Sequence, residues 1–174
     1  MGERALSSGV SYPPASPGRR EYYHDPQSPP ANSMSPTAFV VARNRYGDVL
    51  LVRRADSGNW ELSGGRVEFG ESAQIAAVGE VAEESGVTVE VTRLAGVYTD
   101  PGHVMFYPDT GEARQQFAVC FFVSPIAGRP RPDGDETWEA AWVLPGRIPH
   151  LPIHPSIRMR IDHALTEPAQ PHFD

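Results

Sequence analysis

The segment from Ser72 to Gly86 constrains this chain more than any other, because it packs three glutamates into one short helical stretch. Ser72–Ser85 has the composition of a helix, and Gly86 is placed to end it as a C-cap glycine. A helix advances about 100° per residue, so positions i, i+3 and i+4 share a face. With Glu80 set at about 0°, Glu83 falls near 300° and Glu84 near 40°, so all three carboxylates occupy a stripe about 100° wide. Ile75, Val78 and Ala82 fall near 220°, 160° and 200° and form the expected core face. Ala73 and Ala76 flank the acidic stripe and are small enough to let a loop approach. Like charges at these spacings each cost a few tenths of a kcal/mol, and more when partly buried. A hard divalent cation relieves both repulsion and desolvation. Mg²⁺ suits such a site because it takes oxygen ligands and keeps waters that substrate phosphates can replace. For the helix taken alone, a solvated acidic face is the competing reading.

Charge and composition narrow the function classes. The formal net charge is −7. Arg4, Arg19 and Arg20 cancel Glu3, Glu21 and Asp25 within the first 36 residues. Residues 64–87 set five glutamates (68, 71, 80, 83 and 84) against Arg66, a local net of −4. This balance disfavours nonspecific nucleic-acid binding and favours a cation. All 15 basic residues are arginines, which excludes Schiff-base chemistry and a P-loop lysine. The one cysteine, Cys120, lies in the apolar run Phe117–Val123 and reads as a buried small hydrophobe. No apolar run reaches the roughly 18 residues of a membrane span, and no signal peptide is expected at the start of the chain. A cytoplasmic protein without a membrane partner is the expectation.

The organisation is that of one domain with tails. Residues 1–35 are rich in Ser, Pro and Gly and read as a flexible tail, or as a segment ordered only by a neighbour, with Tyr12, Tyr22 and Tyr23 as anchors. A folded domain is expected over 36–166, and a polar tail over 167–174. Ala38–Ala42 and Val49–Arg53 read as the two strands of a hairpin around the Asn44/Gly47 turn. Trp60–Leu62 is extended. Thr88–Tyr98, Val104–Tyr107, Gln115–Ser124 and Glu139–Leu144 read as strands, and Ser156–Leu165 as a last helix. Interleaved strands and helices predict an α/β fold with a mixed sheet.

From Gly65 the sequence runs five residues to Glu71 and seven more to Gly79-Glu80-Val81-Ala82-Glu83-Glu84-Ser85-Gly86-Val87. This run resembles the Nudix box at every fixed position but one, where Gly79 stands in place of arginine. Trp60–Gly65 is similar to the lead-in of that box, with Ser63 where proline is common. The resemblance implies an α/β/α sandwich and hydrolysis of a nucleoside diphosphate linked to another moiety, by water attack at phosphorus with Mg²⁺ or Mn²⁺. By position it implies Glu80, Glu83 and Glu84 as metal ligands, with the Gly64 carbonyl completing the shell. Glu71 would support them, and Glu80 or Glu84 would take the proton of the attacking water. Homodimers are frequent among such proteins.

The glycine at 79 removes the cation that balances these acids in the resembled family. Three outcomes stay open: Arg66 or another arginine reaches in, the site works more slowly or needs more metal, or the chain is a noncatalytic nucleotide-binding module. Outside the box, substrate contacts are expected from Arg53 or Arg54, Arg114 and Trp60, the last set against a core role. Glu136 or Glu139 is the candidate loop acid. Pro101 resembles the proline of the ADP-ribose pyrophosphatase subgroup, although Pro101-Gly102 also reads as a plain turn. His103 reads as an exposed loop residue, and His150 and His154 receive no catalytic role.

Overall fold

The computed structural model describes residues 18–174. In chain order the strands are β1 (Arg20–Tyr23), β2 (Ser33–Ala42), β3 (Val49–Arg54), β4 (Trp60–Glu61) and β5 (Gly64–Arg66). Helix α1 (Ala73–Ser85) follows, then β6 (Val87–Tyr98), β7 (His103–Tyr107), β8 (Glu112–Gly128) and β9 (Thr137–Val143). A 3-10 turn (Pro145–His150), helix α2 (Pro155–Leu165) and β10 (His172–Phe173) close the chain.

The 17-residue strand β8 organises the larger, mixed sheet. Strand β2 runs parallel along one of its edges, from Ser33 opposite Arg114 to Ala42 opposite Val123. The other edge is shared by β7 and then β6, both antiparallel. Strand β5 extends the sheet beyond β2, and β1 extends it beyond β7. The second sheet has the order β4-β3-β9 and is antiparallel. Helix α1 packs through Ala76, Ala77 and Val81 with Ala38, Val40 and Phe121. Val41, Ala118 and Cys120 meet Val49 and Leu51 of the second sheet and Ile157 and Ile161 of α2. The result is an α/β sandwich, and Cys120 is a buried free thiol within it.

Three expectations are corrected. Strands β2 and β3 do not form a hairpin, and only the single bridge Arg43–Val49 links them. Both edges of β2 are taken by β5 and β8, so the Asn44–Asp48 turn carries the chain across to the second sheet. The segment 18–35, expected as tail, is built into the sheet: Glu21 sits opposite Met105, and Ser33–Ser35 extend β2. Tyr23 packs edge-on against His24 and His103, whereas Tyr12 lies outside the described residues. At the other end, His172-Phe173 pairs with Gly96-Val97, so the expected C-terminal tail also docks.

The third correction concerns α1. Its ends are as expected: Ser72 Oγ accepts from the Ile75 amide at 3.2 Å, and Gly86 is left-handed at φ 69°. Its rotation is not. Ile75 is 60% exposed and Ala82 is exposed, while Ala76, Ala77, Val81, Glu84 and Ser85 are buried. The Glu84 edge of the acidic stripe turns toward the sheets, with Glu80 half-buried and Glu83 exposed. Alanines on this side allow close contact with β5, where a Cβ on Gly65 would stand 2.5 Å from the Glu80 carboxyl carbon. Gly79 lies on the outer side, and a Cβ there would meet nothing within 4 Å. Gly79→Ala is therefore expected to stabilise the protein by about 0.5–1 kcal/mol. Denaturant titration reads this as a raised midpoint at constant slope, and a lowered midpoint would show that residue 79 is constrained.

Candidate active site

Beside the β5 edge lies a cavity of about 300 Å³. Its floor is one face of the large sheet: His103, Met105 and Tyr107 of β7, Arg114 and Gln116 of β8, Thr37 and Phe39 of β2, and Gly64 and Arg66 of β5. Alternation along β2, β7 and β8 explains why every second residue contributes. Arg54, Glu61 and Glu136 reach in from the second sheet and its approach loop, Glu80 from α1, Ile157 and Arg160 from α2, and Arg19 and Glu21 from the N-terminal strand.

The three helix carboxylates have different surroundings. Glu80 is half-buried and lines the cavity beside Gly64 and Gly65. Burial, then the charges of Glu83 and Glu136, push its carboxyl above the ordinary range. Glu84 is 2% exposed. Its Oε2 accepts from Ser63 Oγ at 2.6 Å and the Gly64 amide at 3.0 Å, and its Oε1 accepts from Arg54 Nη1 at 3.1 Å. Burial outweighs these bonds and raises the carboxyl to about 7. Glu83 is exposed and stands near enough to Glu80 to repel it. Glu71 lies in the preceding loop and accepts from the Glu68 amide at 3.1 Å.

One arginine ties these acids together. Arg54 bonds Glu84, Asp56 at 3.1 Å and Glu136 at 3.2 Å, and pairs with Glu61 at 3.5 Å. Arg19 adds a second cation, 3.1 Å from Asp56 and 3.2 Å from Glu61. Glu61 is buried, and desolvation raises its carboxyl even between these two arginines. Burial of this many carboxylates around two guanidiniums, with Glu80 and Glu83 in no described salt bridge, fits a site that takes a hard divalent cation.

Of the residues named from sequence, Arg54, Gly64, Arg66, Glu80, His103, Arg114 and Glu136 line the cavity. Arg114 is buried, held by Glu112 at 2.8 Å and the Tyr107 hydroxyl at 3.1 Å. Arg53 and Glu139 do not line it. They pair with each other at 2.9 Å, and Arg53 also donates to the Gly58 carbonyl. Glu136, not Glu139, is the loop acid at the cavity. Trp60 is a core residue packed in the cluster of Val49, Leu51 and Leu62, so its ring is not available to stack on a base. Pro101-Gly102 forms a turn held by Asp100 Oδ1 and the Gly102 amide at 2.8 Å.

The expectation for His103 is also corrected. It is buried at the start of β7, and Nε2 lies 2.7 Å from Glu21 Oε1. Glu21 Oε1 also accepts from Ser156 Oγ at 2.7 Å and lies 3.2 Å from His154 Nδ1. Bonds from His103 and His154 hold the Glu21 carboxyl well below the usual range although burial opposes them. Glu21, His103 and His154 present ligand-type atoms within 4.8 Å of one another. The bonding assigns them to a hydrogen-bond network instead. Arg160 Nη2 lies 3.3 Å from His103 Nδ1, and arginine only donates, so Nδ1 accepts and the ring proton resides on Nε2. That nitrogen then donates to Glu21 and has no lone pair for a metal. No sequence signal marks Arg19, Glu21 or Arg160 as cavity residues, because the segment carrying the first two reads as tail; for His103 a phosphate contact is the lesser alternative to an exposed loop residue.

The NUDIX domain profile matches residues 34–163. The chain belongs to the Nudix hydrolase family. It is 40% identical over 112 residues to a Bacillus subtilis protein whose name provisionally assigns it 8-oxo-dGTP diphosphatase activity, covering 64% of this chain and 68% of that protein. It is 35% identical over 130 residues to a MutT-like protein of Streptomyces ambofaciens, covering 73% and 75%. The fold is similar to that of a Streptococcus suis ADP-ribose pyrophosphatase, with TM-score 0.61 and 19% identity over 80% of this chain and 98% of that one. A Nudix hydrolase of Nitrosomonas europaea superposes with TM-score 0.64 and 23% identity, covering 82% and 77%. As a Nudix-type pyrophosphohydrolase the chain is an enzyme, and enzymes of this family generally use a divalent metal.

Proposed function

We propose that this Nudix protein hydrolyses a nucleoside diphosphate linked to another moiety, with Mg²⁺ or Mn²⁺ held by Glu80, Glu83, Glu84 and the Gly64 carbonyl. The observation that carries this reading is the half-buried Glu80 carboxylate lining an arginine-lined cavity against Gly65, next to the Gly64 amide that donates to the buried Glu84. When bound, the metal neutralises charge on the phosphate oxygens and acidifies water. The chain's own residues do the rest. Arg66 and Arg114 line the cavity and orient the phosphates as cationic donors. Glu80 is the one helix carboxylate that lines the cavity, and its raised proton affinity suits a base. Glu80 accepts a proton from water as the new oxygen–phosphorus bond forms. The bridging P–O bond breaks, and its electron pair leaves on the departing phosphate oxygen. Glu71 steadies the loop that leads into α1. The small 64–66 strand fixes the Gly64 backbone, since a Cβ there would stand 2.2 Å from the Ala38 carbonyl oxygen.

The test is product analysis by ³¹P NMR after incubation with Mg²⁺ or Mn²⁺ and a panel of nucleoside triphosphates, ADP-ribose and related diphosphate-linked nucleosides. The expected result is release of a nucleoside monophosphate from at least one. Saturable binding with no turnover across the panel would overturn hydrolysis and leave a nucleotide-binding module.

A further inference from the structure

On the β7 side of the cavity, across β8 and β2 from the β5 edge where Glu80 stands, lies an arginine that nothing in the hydrolytic reading uses. Arg160, on α2, is 2% exposed. Among the described residues it makes no salt bridge, and its Nε and Nη1 have no hydrogen-bond partner. Its one described bond is Nη2 to His103 Nδ1 at 3.3 Å. Its guanidinium carbon lies 5.4 Å from the centre of the Phe39 ring and 5.0 Å from that of Tyr98. A buried guanidinium with unpaired donors is costly, so a ligand that brings an acceptor to it gains affinity. A hollow of about 10 Å³ beside Arg160, bordered by Tyr98, Asp100 and Asp174, has room for one water. Glu21 and Asp174 act on the guanidinium charge without a described hydrogen bond or salt bridge to it.

The surroundings of Arg160 are those of a base-binding pole rather than a phosphate pole. Phe39, Met105 and Ile157 line the cavity here and offer apolar surface to a flat ring. Glu21 fixes the His103 tautomer, and His103 in turn fixes the guanidinium, so the N-terminal strand preorganises the donor. Under the proposed function the diphosphate lies at the Glu80 pole, which leaves the nucleoside for this one.

We infer that Arg160 is a specificity-determining residue, reading a carbonyl oxygen on the nucleobase and so selecting oxo bases such as guanine or uracil over amino bases such as adenine or cytosine. Arginine has five donors and no acceptor. A base amine at this position would face donors with donors and leave both sides unpaired. Sites built to hydrogen-bond a substrate group discriminate strongly against analogues that lack it.

The inference rests on the proposed function for the orientation of the ligand, and its test is equilibrium binding, so the two fail separately. GMP and AMP, and UMP and CMP, are titrated calorimetrically against the wild-type protein and Arg160→Met. Wild type is expected to bind the oxo member of each pair about tenfold tighter or better, and Arg160→Met to narrow the gap to about twofold. Equal affinities in the wild type, or an undiminished preference in the variant, overturn the inference. Should Arg160→Met fail to fold, wild type is titrated with 2-aminopurine riboside monophosphate, which keeps the 2-amine of GMP and lacks its 6-oxo group and N1 proton. About tenfold weaker binding than GMP supports the assignment, and equal binding overturns it. An oxo preference in a protein that hydrolyses none of the panel removes the hydrolytic reading and leaves Arg160 as the reader of the base.

Discussion

Glu84→Gln is expected to lower Mg²⁺-dependent turnover by about a thousandfold, roughly 4 kcal/mol of transition-state stabilisation. The fold should survive, because glutamine keeps the shape and one carbonyl oxygen to accept from Ser63 and Gly64, whose bonds to Glu84 are 2.6 and 3.0 Å. The charge is lost, and with it the bond that Oε1 accepts from Arg54 Nη1 at 3.1 Å, because the amide nitrogen only donates. The pH dependence supplies a second readout. In the metal-free protein the Glu84 carboxyl sits at about 7, because burial penalises its anion. A carboxyl raised above its unfolded value favours the fold while protonated, so that stability is lost as pH rises through about 7. Metal competes with the same proton, so Mg²⁺ affinity should climb between pH 6 and pH 8 and thermal stability of the metal-free form should fall across the same window. In Glu84→Gln both slopes should flatten. Turnover near the wild-type level, or an unchanged pH slope of Mg²⁺ affinity, would remove Glu84 from the metal site.

The route from sequence to this site shows which physical signals are local and which are not. The helix, its Ser72 and Gly86 ends and the glutamate spacing are legible because i, i+3 and i+4 geometry and capping are short-range. The inward rotation of α1 is not. It depends on how near the helix comes to Gly65, which is a tertiary distance, and it places Ile75 outside and Glu84 inside against the usual apolar pattern. Strand parity is similarly fragile. A register shift between Arg53 and Arg54 decides which arginine enters the cavity, and the same stretch of pairing takes Glu139 to Arg53 and away from the cavity. Periodicity carries no mark of such a bulge. The N-terminal strand was hidden for a different reason: Arg20–Tyr23 has little apolar area of its own and forms only because the edge of β7 is open to it. With that strand unread, Glu21 and its bonds to His103 and Ser156 could not be seen.

Arg54 answers the question raised by Gly79, and its removal should be the most damaging single change to stability in the site. The glycine faces outward into open space, so the acids are not balanced from their own helix at that position. They are balanced from β3, where Arg54 contacts Glu84, Asp56, Glu61 and Glu136 at 3.1–3.5 Å. These carboxylates hold the guanidinium proton far more firmly than usual, although burial alone would loosen it. Arg54→Met leaves Glu84 and part of the charge of Glu61 buried without a cation, although Ser63 and Gly64 still donate to Glu84, and breaking such a pair costs about 3–5 kcal/mol. Arg19 remains, but it reaches only Asp56 and Glu61. Two further expectations separate lost charge balance from lost packing. Mg²⁺ should raise the melting temperature of Arg54→Met more than that of the wild type, because the ion replaces the missing cation. Adding Glu84→Gln should recover part of the loss, because the double variant no longer buries that anion. A cost below about 1 kcal/mol, or a double variant as unstable as the two separate losses combined, would mean that the helix acids are balanced by something other than Arg54.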